Sequence, residues 1–349
     1  MASSPQSLIV NGVLEDADLS GASLAGTGFQ TIKFHKVNFR GADLSGADFS
    51  QAQFDDCDLS GAILNEAQFI GATINNTNAA GASLSKANLT TTSVIKSDLS
   101  QANLAESDCS ASLFDNCILD NAVFEKADLS TARMNACSLS GTSFKESDLS
   151  RWMVMESDLS AVVFGKNNLS QAMLMNANLS GQQFPECDLT LTLFIEANLQ
   201  GANFSGASMS QTQFSMSIMK GANLSNIKAE NTSFAAADLT AADLTGSAFE
   251  ICDFSHAKLV QARAGNSSWH VTPMVGVQAQ QSIWDGAQLE LCDFSHASID
   301  EASFRNATIK LCNLHKLSEE KTIWDGANFN DTFRTDPIRE KAENWQPPA

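Results

Sequence analysis

The chain has 349 residues, 43% of them apolar and only 17% charged, with a formal net charge of −19. So acidic a surface excludes direct phosphate tracking along nucleic acid, which needs clustered Lys and Arg, and electrostatic attachment to an anionic membrane. No stretch approaches the ~20 apolar residues of a spanning helix, and the eight Cys include no CxxC pair, so neither a membrane span nor a local metal or redox motif is expected.

The first segment, residues 1–13, opens with Met1 to Gln6, which lack a basic run followed by an apolar one. That argues against a secretory leader and for a reducing, cytoplasmic setting. Leu8, Ile9 and Val10 are expected to fold over whatever follows as an N-terminal cap, because an open sheet end has to be covered.

From residue 14 the chain counts by fives. Every fifth residue from Leu14 to Leu314 gives 61 positions, and 56 of them are Leu, Phe, Ile, Met, Val or Trp; the exceptions are Ala79, Cys109, Ala229, Ala264 and Ala279. Two residues earlier, from Gly12 to Cys312, 53 of 61 positions are Ala, Ser, Thr, Cys or Gly. Neither a helix period of 3.6 nor a strand period of 2 produces this pattern. Segments such as Ala17-Asp18-Leu19-Ser20-Gly21, Ala42-Asp43-Leu44-Ser45-Gly46 and Ala202-Asn203-Phe204-Ser205-Gly206 show the unit.

This unit resembles the pentapeptide-repeat family, A(D/N)LxG in consensus, over residues 14–314. The resemblance implies an all-β fold, a right-handed quadrilateral β-helix in which each pentapeptide makes one side and four make a coil. The large residue would point to the axis and the small one would sit beside it. About 15 coils at the β spacing of ~4.8 Å would then extend ~70 Å. Side-chain choice repeats at four pentapeptides: Leu99, Leu119, Leu139, Leu159, Leu179 and Leu199 fall in one column, and Phe194, Phe214, Phe234 and Phe254 in another. Such in-register columns add apolar burial and dispersion with each coil. Seven Cys take the small inward position and Cys109 a large one, where a free thiol acts as a small hydrophobe. Cys117/Cys137 and Cys292/Cys312 are one coil apart, so a disulfide between them is geometrically open.

In the middle of the repeat one face departs from the rule that the residues flanking the large one are polar. Met153 and Met155 flank Val154, Met173 and Met175 flank Leu174, and Leu193 and Ile195 flank Phe194. One coil apart, these pairs predict a two-by-three apolar grid with Trp152 and Leu191 at its edge, extended by Met216 and Ile218. Met-rich exposed apolar surface points to a protein partner; the competing reading is a face covered by this chain's own tail.

Residues 251–330 carry a 40-residue duplication: Ile251-Cys252-Asp253-Phe254-Ser255-His256-Ala257 matches Leu291-Cys292-Asp293-Phe294-Ser295-His296-Ala297. The pattern weakens at Ala264 to Gln280 and at Leu317 to Lys321, which predicts looser coils, with Trp269, His270 and Pro273 in an irregular coil or a protruding loop. The repeat β-helix is therefore placed at 14–316. Residues 317–349 are read as a last irregular coil and a capping tail, with a short helix starting at Pro337 and Trp345 as its apolar plug.

Chemistry is sparse. Most Asp precede the large residue, where they bond turn backbone. His256 and His296 lie two coils apart, ~10 Å, too far for one metal ion. No phosphate loop, HExxH or GxSxG occurs, so no enzyme, metal or cofactor is expected. The family resemblance implies a non-enzymatic protein–protein interaction scaffold or adaptor in bacteria; some relatives accompany secretion systems, type VI included. It also implies an alternative, an acidic DNA mimic that binds a type II topoisomerase. Partners would be another protein at the apolar face, or a second copy through that face or an end.

Overall fold

The computed structural model of the protein describes residues 9–345. It forms two compact units, Met1–Asn178 and Leu179–Ala349, each wound as a four-sided parallel β-helix, with about 16 turns in all.

One pentapeptide shows why the sequence winds this way. Ala42 and Leu44 are buried and Gly46 has φ +63°. The Ala47 N–H donates to the Leu44 carbonyl at 3.0 Å, closing a four-residue turn whose third residue must be left-handed. That requirement favours Gly there. The side between two turns is too short for pairing within a coil, so its groups bond to the neighbouring coils: Asp43 N–H to Ala22 C=O at 2.9 Å and Leu44 N–H to Ile63 C=O at 2.8 Å. Asp43 Oδ1 accepts from the Ser45 amide at 3.1 Å and its hydroxyl at 2.7 Å, the Asx arrangement expected of this position.

In the first unit eight short strands, from β1 (Val13–Glu15) to β8 (Met153–Met155), pair in parallel with neighbours one coil away. In the second unit seven more, from β9 (Met209–Ser210) to β15 (Asn328–Asn330), do the same. The first set centres on Leu14, Phe34 and their successors; the second centres on Met209, Ala229 and theirs. These are different sides of the four-sided, twenty-residue coil. The five-residue pattern is the same at both, so the choice of strand side is not visible in it.

The axis of each unit is filled with stacked rings. Phe29, Phe49 and Phe69 stack at 5.3 and 5.1 Å in the first unit. In the second, Phe194, Phe214, Phe234 and Phe254 stack at 5.1, 5.1 and 4.5 Å. All eight Cys are buried. Burial pushes Cys57 and Cys252 up to about 11 and Cys109 to about 12, so these thiols stay protonated and unreactive.

Four expectations are corrected. Residues 264–280 are neither loop nor loose coil: they keep the regular pattern, and Trp269 occupies the large inward position, buried and stacked on Phe249 at 4.2 Å. The repeat also runs on through 317–330, with Trp324 stacked on Phe304 at 4.7 Å. The helix α1 (Pro337–Glu343) forms as expected, capped by Asp336, but it buries no residue and Trp345 is 68% exposed. It is no plug. At the other end, Leu8 lies outside the described residues, and Val10 is exposed while pairing with Val13, so it does not cover the core. Among the described residues, no helix is long and apolar enough to cross a membrane.

Candidate functional site

The methionine face takes shape at the end of the first unit's strand ladder. β8 holds Met153 and Met155 on either side of buried Val154, and the next coil presents Met173 and Met175 around buried Leu174. Met153 bridges Met173, and the Val154 N–H donates to the Met173 carbonyl at 3.2 Å. The two pairs therefore sit in register. Met155 is 52% and Met175 44% exposed, with Met153 and Met173 half-buried beside them. Together with Glu156 and Asn176 they line a surface hollow of about 410 Å³.

Trp152 belongs under this face rather than at its edge. Counting by fives puts it in a slot meant for a small residue, facing inward, and it is fully buried against Phe144 at 5.2 Å. Its indole N–H has no partner, a loss of about 1–3 kcal/mol for a buried donor. With no exposed surface, Trp152 cannot touch a partner on this face.

Leu191, Leu193 and Ile195 belong to the second unit. Leu191 is exposed and the other two are half-buried. Leu191 and Leu193 line a hollow with Gln211, Gln213 and Asn231, so within that unit the coil next to them turns polar. Met216 and Ile218 are both exposed.

A polar cluster that pattern reading passed over lies in the second unit. Sequence counting compared His256 with His296; the fold instead brings His296 beside His315, one residue short of a full coil away, with ring centroids 5.5 Å apart. Glu343 of α1 joins them. One ligand atom from each of the three lies within 4.8 Å of the others. Their bonding describes a clasp. The Asp336 N–H donates to His315 Nδ1 at 3.1 Å, so the ring proton sits on Nε2, 3.2 Å from Glu343 Oε2. Lys316 Nζ stands 3.0 Å from the same carboxylate, Arg339 Nε 2.9 Å and His296 Nε2 3.4 Å. A dication would have to displace a proton and approach two fixed cations.

Lys316 above all, then His315 and Arg339, holds the Glu343 carboxyl down to about 2. A depressed carboxylate contributes docking that is complete above its ordinary value of ~4.3 and fades as pH falls from there toward about 2. Since α1 buries no side chain, Glu343→Gln should loosen it at neutral pH. Hydrogen exchange at the amides of 338–343 should quicken about tenfold while the coils stay protected; unchanged exchange would mean that the clasp does not hold the helix.

Comparison with known proteins bears on the coil pattern. The family profile described as Pentapeptide repeats (8 copies) matches residues 13–51, 52–90, 97–135, 119–151, 155–190, 172–211, 187–226, 217–255 and 274–310. Among solved structures the chain is similar to HetL, a pentapeptide repeat protein involved in heterocyst differentiation regulation in the cyanobacterium Nostoc sp. strain PCC 7120, with 24% identity over 71% of this chain and 89% of that one and a TM-score of 0.31. It is similar to a trypsin-treated form of QnrB1, a plasmid-mediated fluoroquinolone resistance protein, with 15% identity over 72% and 93% and a TM-score of 0.33. A pentapeptide repeat protein of the Arabidopsis thaliana thylakoid lumen shares 26% identity over 35% and 68%, with a TM-score of 0.23. No curated protein sequence matches the chain.

Proposed function

The chain belongs to the pentapeptide-repeat family, and from that premise we propose that it is a non-enzymatic protein–protein interaction scaffold whose first unit engages a protein partner through Met153, Met155, Met173 and Met175. The observation that carries this reading is the in-register pairing of two exposed methionine rows on one face. Methionine is flexible and polarisable, so such a surface adapts to an apolar partner without a preformed pocket, and apolar area left in water is recovered on binding.

The acidic-mimic alternative, docking at a type II topoisomerase, has less support. A mimic needs free carboxylates along one side. Here Asp18, Asp43 and Asp48, on three different sides of the coil, each bond the Ser two residues on.

The test is the double substitution Met155→Glu and Met175→Glu. Both side chains lie outside the core, so the thermal midpoint should move by no more than a degree or two, as for surface changes of about 0.5 kcal/mol. Capture of a cellular partner by the full chain should be lost. A variant that unfolds would show the methionines to be core, and undiminished capture would place the binding surface elsewhere.

A further inference from the structure

The position two after each large residue is left-handed in nearly every pentapeptide of both units, Ala161 being an exception, and it is usually filled by Gly, Asn, Asp or a long polar residue. Among the described residues six large apolar side chains occupy it, all in the second unit: Leu191, Met216, Ile251, Val271, Leu291 and Leu311. The last four are consecutive in one column, one coil apart. Each corner amide is bonded to the next coil, as in Ile251 N–H to His270 C=O at 2.9 Å and Val271 N–H to Glu290 C=O at 3.0 Å.

Two independent costs meet at these four residues. A left-handed backbone is unfavourable for any L-residue and most so for β-branched ones, yet Ile251 has φ 53° and Val271 φ 49°. Ile251 is also 50% exposed, Val271 38% and Leu291 44%, with Leu311 half-buried. The fold does not require either cost, because the same column holds Asn231 before the run and Asp331 after it, residues that suit this backbone. Strain and exposed apolar surface coinciding over four coils are the mark of a surface kept for use.

We propose that Ile251, Val271, Leu291 and Leu311 form a docking ridge for a basic amphipathic helix of a partner protein, a surface independent of the methionine face. Spacing selects the helix. Ridge residues recur at the coil repeat of ~4.8 Å, near the ~5–6 Å between neighbouring apolar side chains on a helix stripe and well short of the ~6.6 Å between same-face residues of a strand. Charge selects its sign. Glu230 and Glu250 are exposed in the column before the corner, and Glu290 lies there half-buried; Asp253 and Asp293 stand just beyond it. His270 and Lys310 both pair with Glu290, leaving Glu230 and Glu250 for Lys or Arg on an incoming helix.

The experiment uses the full chain and a fluorescein-labelled synthetic helix with a Leu stripe on a Lys background; a second peptide carries Glu in place of Lys. The Lys peptide should bind and the Glu peptide should not. In the double variant Ile251→Asn, Leu291→Asn, binding should weaken at least about tenfold while the thermal midpoint holds or rises, because Asn relieves the strained backbone. The proposal is overturned if the variant binds the Lys peptide as well as wild type does, or if both peptides bind alike. A lowered midpoint would also overturn it, since the column would then be packing. So would a wild-type dimer in sedimentation that the variant abolishes, since the occupant would then be a second copy.

Discussion

Removing residues 211–230, one whole coil of the second unit, should leave a folded protein, whereas removing one residue fewer should not. With the full deletion Ser210 joins Asn231, and every later large residue keeps its inward direction because the ladder pairs residues twenty apart. Phe194, now stacked on Phe214, would meet Phe234 of the same column, and its N–H would find Ser233 C=O in place of Gln213 C=O. Stability should fall by one coil interface and unfolding should remain cooperative. One residue fewer turns Phe234, Leu239 and Leu244 out of the core over the whole remaining array, since a single-residue slip reverses side-chain direction. Far-UV circular dichroism and urea unfolding distinguish the two. A folded, cooperative misregistered variant would show that inward register does not hold the coils together.

Phe214→Ala should cost about 3–5 kcal/mol, the range for emptying a fully buried aromatic site. The ring is inaccessible and stacked between Phe194 and Phe234, both at 5.1 Å, with Phe204 edge-on at 5.5 Å. Each such contact adds roughly 0.5–1.5 kcal/mol beyond burial. Backbone ladders on either side of the gap prevent collapse: Phe214 N–H is fixed to Ser233 C=O at 2.7 Å, and Gln213 N–H to Thr192 C=O at 2.9 Å. Phe214→Leu keeps most of the volume and should cost roughly 1–3 kcal/mol. Guanidinium titration followed by the emission of buried Trp269 and Trp284 measures both. A loss below about 1 kcal/mol for the alanine variant would mean that the coils close over the void.

Trp152 and Trp269 show how far counting by fives reaches. Both fall on inward positions and both are buried. Placing Trp152 at the surface gives its bulk more weight than its phase, and expecting a looser coil or a protruding loop at 264–280 gives the weakened pattern there more weight than the unbroken register. In an array whose coils are tied by backbone bonds on every side, phase wins: a small residue leaves space for neighbouring rings, and a large one in a small slot is accommodated at the cost of an unpartnered N–H. The methionine rows were legible because they break the polar rule at flanking positions. The ridge was legible in principle as four apolar residues one coil apart. Its strain was not, because the sign of φ at that position appears only once the turn is built.

The five-residue pattern is enough to set the coil: which residues face the axis, why Asp precedes the large residue, and why cysteines fit the core as small apolar residues. These follow from local rules repeated at a constant interval, so no distant contact is needed to decide them. Tertiary structure alone decided which side of the coil in each unit becomes a strand ladder, and that α1 is fastened by Glu343 to His296, His315 and Lys316 rather than plugging the end with Trp345. Those outcomes depend on residues brought together by coil closure and by a tail outside the repeat, where no period relates one partner to the other.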